Sequence, residues 1–120
     1  MLAGKRSTRV GGQIFKEISL MLVEKIRDPR LKDVSLTGVD LSSDLKSARI
    51  YFSIIGGEDA VHGAQAGLES AKGLMKREIG RRLSLRYVPE LFFVHDGSIE
   101  RGMRMESLFE QLRRDTGAFE

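Results

Sequence analysis

Between Ala48 and Ile54 the chain alternates without a slip: Ala48, Ile50, Phe52 and Ile54 are apolar, while Arg49, Tyr51 and Ser53 between them are not. Successive side chains of a strand point to opposite faces, so this run predicts a β-strand with one buried and one solvated face. Such a strand needs partners for its backbone groups and a layer to cover its apolar side.

The flanking segments supply both. Val10, Ile14, Ile18, Met21, Leu22 and Ile26 recur at spacings of three and four, with Phe15 at the edge of the stripe. They predict an amphipathic helix from about Ser7 to Arg27, stopped by Asp28-Pro29 because a residue before proline is pushed out of the helical region. Val34, Leu36, Val39 and Leu41 read as a strand whose alternation slips at Gly38, as a bulge would make it. Ser42-Ser43-Asp44 turns this strand into the Ala48–Ile54 run, so the two should pair as a hairpin.

After Gly56-Gly57, the acids Glu58 and Asp59 suit a helix start, and Val61, Ala64, Leu68 and Ala71 share one helical face. Gly63 and Gly67 on this helix suggest close packing. Ala71-Lys72-Gly73 reads as an interhelical kink, at Ala71 and Gly73, into a third helix with Met75, Ile79 and Leu83 as its seam. Pro89 closes the next loop, Leu91-Phe92-Phe93-Val94 is a short covered strand, and Asp96-Gly97-Ser98 turns again. Met105, Leu108 and Leu112 indicate a last short helix. The order α-β-β-α-α-β plus a C-terminal helix predicts an α+β domain, a three-stranded sheet covered by helices on one face.

At 120 residues the chain is expected to be a single domain spanning 1–120, with an ordered core of about 7–113 and a flexible leader and tail. Its 41% apolar content suffices for a core without staples. The absence of cysteine excludes disulfides and thiol chemistry, and His62 and His95 alone could not complete a zinc site. Met1-Leu2-Ala3-Gly4-Lys5-Arg6 reaches charge before any apolar run of signal-peptide length, and no apolar stretch approaches the ~20 residues of a membrane span. A soluble cytoplasmic protein without membrane contact is the expectation. No phosphate-binding glycine loop or nucleophile elbow occurs. His95 and Asp96, adjacent at a strand, point to opposite faces and make no catalytic pair. These absences predict no enzyme, cofactor or metal.

Net charge is only +3, so the distribution of charge carries the functional argument. From Lys72 to Arg86 there are six cations, Lys72, Lys76, Arg77, Arg81, Arg82 and Arg86, against the single acid Glu78. At 100° per residue Arg77 and Arg81 lie opposite the Ile79 seam, with Lys76 and Arg82 flanking it. Lys5, Arg6 and Arg9 form a second group before any acid appears, and Arg27, Arg30 and Lys32 a third. Such clusters suit phosphate contacts over a wide footprint, and an ordinary solvated helix face is the alternative. The aromatics Tyr51, Tyr87, Phe92, Phe109 and Phe119 fall in no stacking motif, which favours shape and phosphate readout of folded RNA.

The ordered set Asp28-Pro29-Arg30-Leu31, Val34 to Val39, Ser42-x-Asp44-Leu45-x-x-Ala48, Tyr51-x-Ser53 and Pro89-Glu90-Leu91-x-Phe93-x-x-Asp96-x-Ser98 resembles the bacterial ribosome-binding factor A family over roughly residues 4 to 115. The resemblance implies a type II KH-like fold and a cofactor-free, non-enzymatic ribosome assembly factor. It implies binding to 16S rRNA in the free, immature 30S subunit, late maturation and 5′-end processing of that RNA, growth in the cold, and assembly GTPases as further partners of a monomer. Where a typical KH domain has a Gly-x-x-Gly clamp, this chain has Ser70-Ala71-Lys72-Gly73, matching the family's Ala-x-Gly kink. Binding is then expected to rest on Lys5, Arg6, Arg9, Arg30, Lys72, Lys76, Arg77, Arg81 and Arg82. A general KH-type RNA chaperone, or an adaptor on ribosomal proteins or a GTPase through Leu20, Val23 or the C-terminal helix, are the alternatives.

Overall fold

A computed structural model describes residues 2–97, with side chains from Arg6 onward. The expected helix at Met105, Leu108 and Leu112, the tail, Ser98, Phe109 and Phe119 lie outside the described residues.

Helix α1 spans Leu2–Glu24. It begins before the expected Ser7 because Ala3, Lys5 and Arg6 are good helix formers with no proline among them. It also ends before Arg27: the amides of Lys25 and Ile26 both donate to the Met21 carbonyl at 2.9 Å, which closes the last turn. Asp28 is then extended (φ −113°, ψ 118°), as the residue before Pro29 must be, and its carboxylate caps a single 3₁₀ turn at Pro29–Leu31.

Strands β1 (Val34–Leu41) and β2 (Ser47–Ile54) form the expected antiparallel hairpin. Their register shifts between Leu36 and Gly38, so Thr37 is the extra residue of a bulge, and Leu36 and Val39 both come to pack against the core. The Thr37 hydroxyl, freed from the ladder's regular spacing, donates to Asp96 Oδ2 at 2.8 Å. The turn is side-chain chemistry: Ser42 Oγ accepts from the amides of Lys46 and Ser47, and Asp44 Oδ1 accepts from Ser42 Oγ and the Lys46 amide.

Helix α2 runs unbroken over Glu58–Arg82. The expected separation into two helices at Ala71 and Gly73 is corrected here, and with it the α-β-β-α-α-β order, which is α-β-β-α-β among the described residues. Glycine in a helix interior costs about 1 kcal/mol relative to alanine, which weakens a helix without ending it. The burial of Ala64, Leu68, Met75 and Ile79 on both sides of Gly73 holds one continuous axis. The chain then crosses to β3 (Glu90–His95), which lies parallel to β2 and completes the sheet in the order β1-β2-β3.

Ala48, Ile50, Phe52 and Ile54 of β2 and Leu91 and Phe93 of β3 are buried together with Val10, Ile14, Ile18 and Met21 of α1 and the α2 seam. Both helices therefore cover one face of the sheet, and Arg49 and Phe92 stand on the open one. The small residues of α2 have a partner as well. The 3₁₀ turn packs on this helix, with Leu31 over Gly67 and the Arg30 side chain against Gly63.

Candidate nucleic-acid interface

Two cations at the C-terminal end of α2 are organised by one carboxylate. Glu78 is largely buried, and its Oε1 accepts from Arg81 Nη2 at 2.7 Å, Arg82 Nε at 3.1 Å and Lys25 Nζ at 3.3 Å. Arg82 extends the network through Nη1 to Glu17 at 3.1 Å. The Arg81 and Arg82 hydrogen bonds pull the Glu78 carboxyl down to about 2, against the opposing effect of burial. It remains ionised at neutral pH. Three cations less two acids leave this node with a charge of +1.

These bridges also fix how the helices lie. Glu17 of α1 meets Arg82 of α2, and Lys25 at the end of α1 meets the earlier Glu78. The two helices therefore run antiparallel, and the N-terminal half of α1 lies toward the C-terminal end of α2. Arg6, Arg9 and Lys16 are exposed on α1 and make no ion pair among the described residues, and the same holds for Arg77 on α2. The Arg81 side chain is 65% exposed and spends only one edge of its guanidinium on Glu78. Arg86, past the helix end, lies over the Tyr87 ring at 5.8 Å. Exposed cations thus stand on both members of the helix pair, Arg6, Arg9 and Lys16 on α1 and Arg77 and Arg81 on α2.

Other expected contact residues are placed elsewhere. Lys76 Nζ reaches Glu90 at 2.9 Å, and Lys72 Nζ reaches Glu69 at 2.9 Å and Glu90 at 3.7 Å while sitting 5.9 Å from the Phe93 ring centroid. Lys76, then Lys72, hold Glu90 below the usual carboxylate range. These two lysines tie α2 to the β3 edge. Arg30 folds back on Asp28, donating from its amide at 2.9 Å, from Nε at 3.0 Å and from Nη2 at 2.7 Å, and lowers the Asp28 pKa. From Gly63, beneath Arg30, to Arg82 is about 28 Å along the helix. Arg82, at 30% side-chain exposure, is mainly a strut between the helices. The side chain of Lys5 lies outside the described residues; its position is in α1.

Lys16 was missed as a candidate. Its signal was present, since Arg9 and Lys16 are seven residues apart and share one helical stripe. A face with cations spread over two helices suits a phosphate backbone. Ser70, Ala71, Lys72 and Gly73 lie inside α2, so there is no loop there to clamp a nucleotide stretch.

Residues 6–109 match the family described as ribosome-binding factor A. The chain is 41% identical over 108 residues to a ribosome-binding factor A of Citrifermentans bemidjiense, covering 90% of this chain and 91% of that protein. The crystal structure of ribosome-binding factor A from Thermus thermophilus superposes with a TM-score of 0.66 at 24% identity, over 74% of this chain and 93% of the other. Coordinates of a Thermus thermophilus ribosome binding factor A, fitted into the cryo-EM map of a complex with the 30S subunit, match with a TM-score of 0.54 at 26% identity, over 71% and 93% of the two chains. The fold is the KH-like α+β arrangement of these structures.

Proposed function

This chain belongs to the ribosome-binding factor A family, and from that membership we propose that it binds the free, immature 30S ribosomal subunit and assists late maturation and 5′-end processing of its 16S rRNA, supporting growth in the cold. The family is one of ribosome-binding factors and not of enzymes. Among the described residues no helix is long and apolar enough to cross a membrane. A cytoplasmic monomer that meets assembly GTPases on the subunit completes the reading.

The observation that carries it is the set of exposed cations on α1 and α2, with Arg6, Arg9, Lys16 and Arg77 free of ion pairs among the described residues and Arg81 largely exposed. Free cations are the ones that can displace counterions from phosphates. The shared 30S-bound neighbour supports the small subunit as the source of those phosphates. Arg82 buttresses the surface between the helices, Lys72 and Lys76 tie α2 to β3, and Arg30 shapes the 3₁₀ turn.

Sedimentation of the protein with cell lysate through a sucrose gradient tests the reading. Co-migration with free small subunits, enriched in those holding unprocessed 16S precursor, is the expected result. Recovery only at the top of the gradient at low salt, together with tight binding to unstructured RNA oligonucleotides, would replace it with a general RNA chaperone.

A further inference from the structure

At the C-terminal end of α1 the chain forms a groove of about 490 Å³. Leu22 and Ile26 form one wall, and Pro29, Leu31 and Val34 the other. Val23 stands at its rim with 84% of its surface exposed. The lining contains no aromatic ring on which a base could stack, and its floor is apolar. Its one acid, Asp28, is already held by Arg30. Arg27 and Lys32, also in the lining, are exposed and make no ion pair among the described residues.

We propose that this groove is a docking site for a protein segment, one that inserts an apolar anchor between Ile26 and Pro29 and sets carboxylates against Arg27 and Lys32. Charge complementarity selects the occupant: an apolar slot whose lining carries two free cations, Arg27 and Lys32, favours an acidic amphipathic peptide over a basic one. Position makes the site separate. Along α1 Val23 is about 21 Å from Arg9 and about 10 Å from Lys16, so RNA on the N-terminal half of the helix pair and a protein segment in the groove can be held side by side. A chain docked at both ends would be released or retained by the protein partner without altering its RNA contacts. The site goes beyond the rRNA reading and does not rest on it.

The test is a titration of the full chain, observed through its methyl NMR signals. Three probes are compared: a short synthetic peptide with leucine anchors flanked by glutamates, its twin with lysines in place of the glutamates, and a single-stranded RNA oligonucleotide. The glutamate peptide is expected to move the methyl signals of Val23, Ile26, Leu31 and Val34. Arg27→Glu with Lys32→Glu should weaken its binding about tenfold or more, as the loss and reversal of two exposed charge contacts would. Val23→Asp should weaken it as well, and because Val23 is exposed the signals of buried Ile14 and Ile50 should stay in place. Equal binding of the lysine twin, movement of the groove methyls by RNA in place of the acidic peptide, or no movement at all would overturn the proposal. No ribosome enters the assay, so its failure leaves the small-subunit reading standing.

Discussion

Leu31 occupies the space that a side chain on Gly67 would need. A Cβ built on Gly67 would lie 2.9 Å from Leu31 Cδ2, 3.1 Å from Leu31 Cγ and 3.2 Å from Asp28 Oδ2. The Asp-Pro-Arg-Leu segment is thereby seated on α2 through its own buried leucine, and Arg30 locks Asp28 in place beside it.

Two glycines of the same helix should therefore respond to alanine with opposite signs. Gly73 has nothing within 4 Å of an added Cβ, so Gly73→Ala should stabilise by about 0.5–1 kcal/mol through helix propensity alone. Gly67→Ala carries the same gain but must displace Leu31, and overpacking of that kind costs about 1–3 kcal/mol. Its net effect is expected to be destabilising, and in a Leu31→Ala background the penalty should shrink to what the 3.2 Å approach to Asp28 Oδ2 leaves. Thermal melts of the four variants decide it; a gain from Gly67→Ala in the parent chain would refute the packing.

The acid limb of stability should carry the signature of Glu78. Its carboxyl titrates near 2 in the folded protein and near 4.5 otherwise. A depressed carboxylate contributes stability that is complete above the unfolded value and is lost as pH falls from about 4.5 toward 2. Glu78→Gln should lower the melting temperature at neutral pH and flatten its decline across that window. An unchanged slope would mean that the three cations do not hold the carboxylate.

RNA affinity should follow the free cations. If four to six phosphates are neutralised, log K should fall against log[salt] with a slope of about −3 to −5. Arg77→Glu with Arg81→Glu should reduce the steepness by about 1.4–1.8, at about 0.7–0.9 per contact, without unfolding the domain. Arg9→Ala and Lys16→Ala should each remove about one such unit. Subunit-binding isotherms at several salt concentrations read this directly, and an unaltered slope in the Arg77/Arg81 variant would take α2 out of the interface.

Past the end of α2, Ser84 holds a left-handed conformation with φ 53°, and the Leu85 amide closes the helix on the Gly80 carbonyl at 3.1 Å. This position favours glycine, because a Cβ there crowds the following carbonyl at a cost of about 1–2 kcal/mol. Ser84→Gly should raise the denaturant midpoint by a comparable stability increment with an unchanged m-value. A fall in the midpoint would show that the serine side chain matters more than its backbone.

Much of the architecture was legible in the order of residues. The buried set Ala48, Ile50, Phe52 and Ile54 is the alternation of the chain itself, the slip at Gly38 is the bulge, and Val10, Ile14, Ile18 and Met21 are the α1 core stripe. Periodicity carries this information because burial acts on each element locally. Boundaries were less legible: α1 starts at Leu2, and α2 passes through Gly73, since propensity differences of about 1 kcal/mol yield to packing further along the helix.

The amino-acid sequence by itself determined the α+β class, the hairpin and the presence of a basic excess between Lys72 and Arg86. Only the tertiary structure decided which of those cations are free. Lys25 finds Glu78 across 53 positions, and Lys76 finds Glu90 across 14, because helices and strands bring their side chains together in space without regard to spacing along the chain. A charge's partner is a property of how elements pack, and so, of two arginines five residues apart on one helix, Arg77 is exposed without an ion pair among the described residues and Arg82 is a strut between helices.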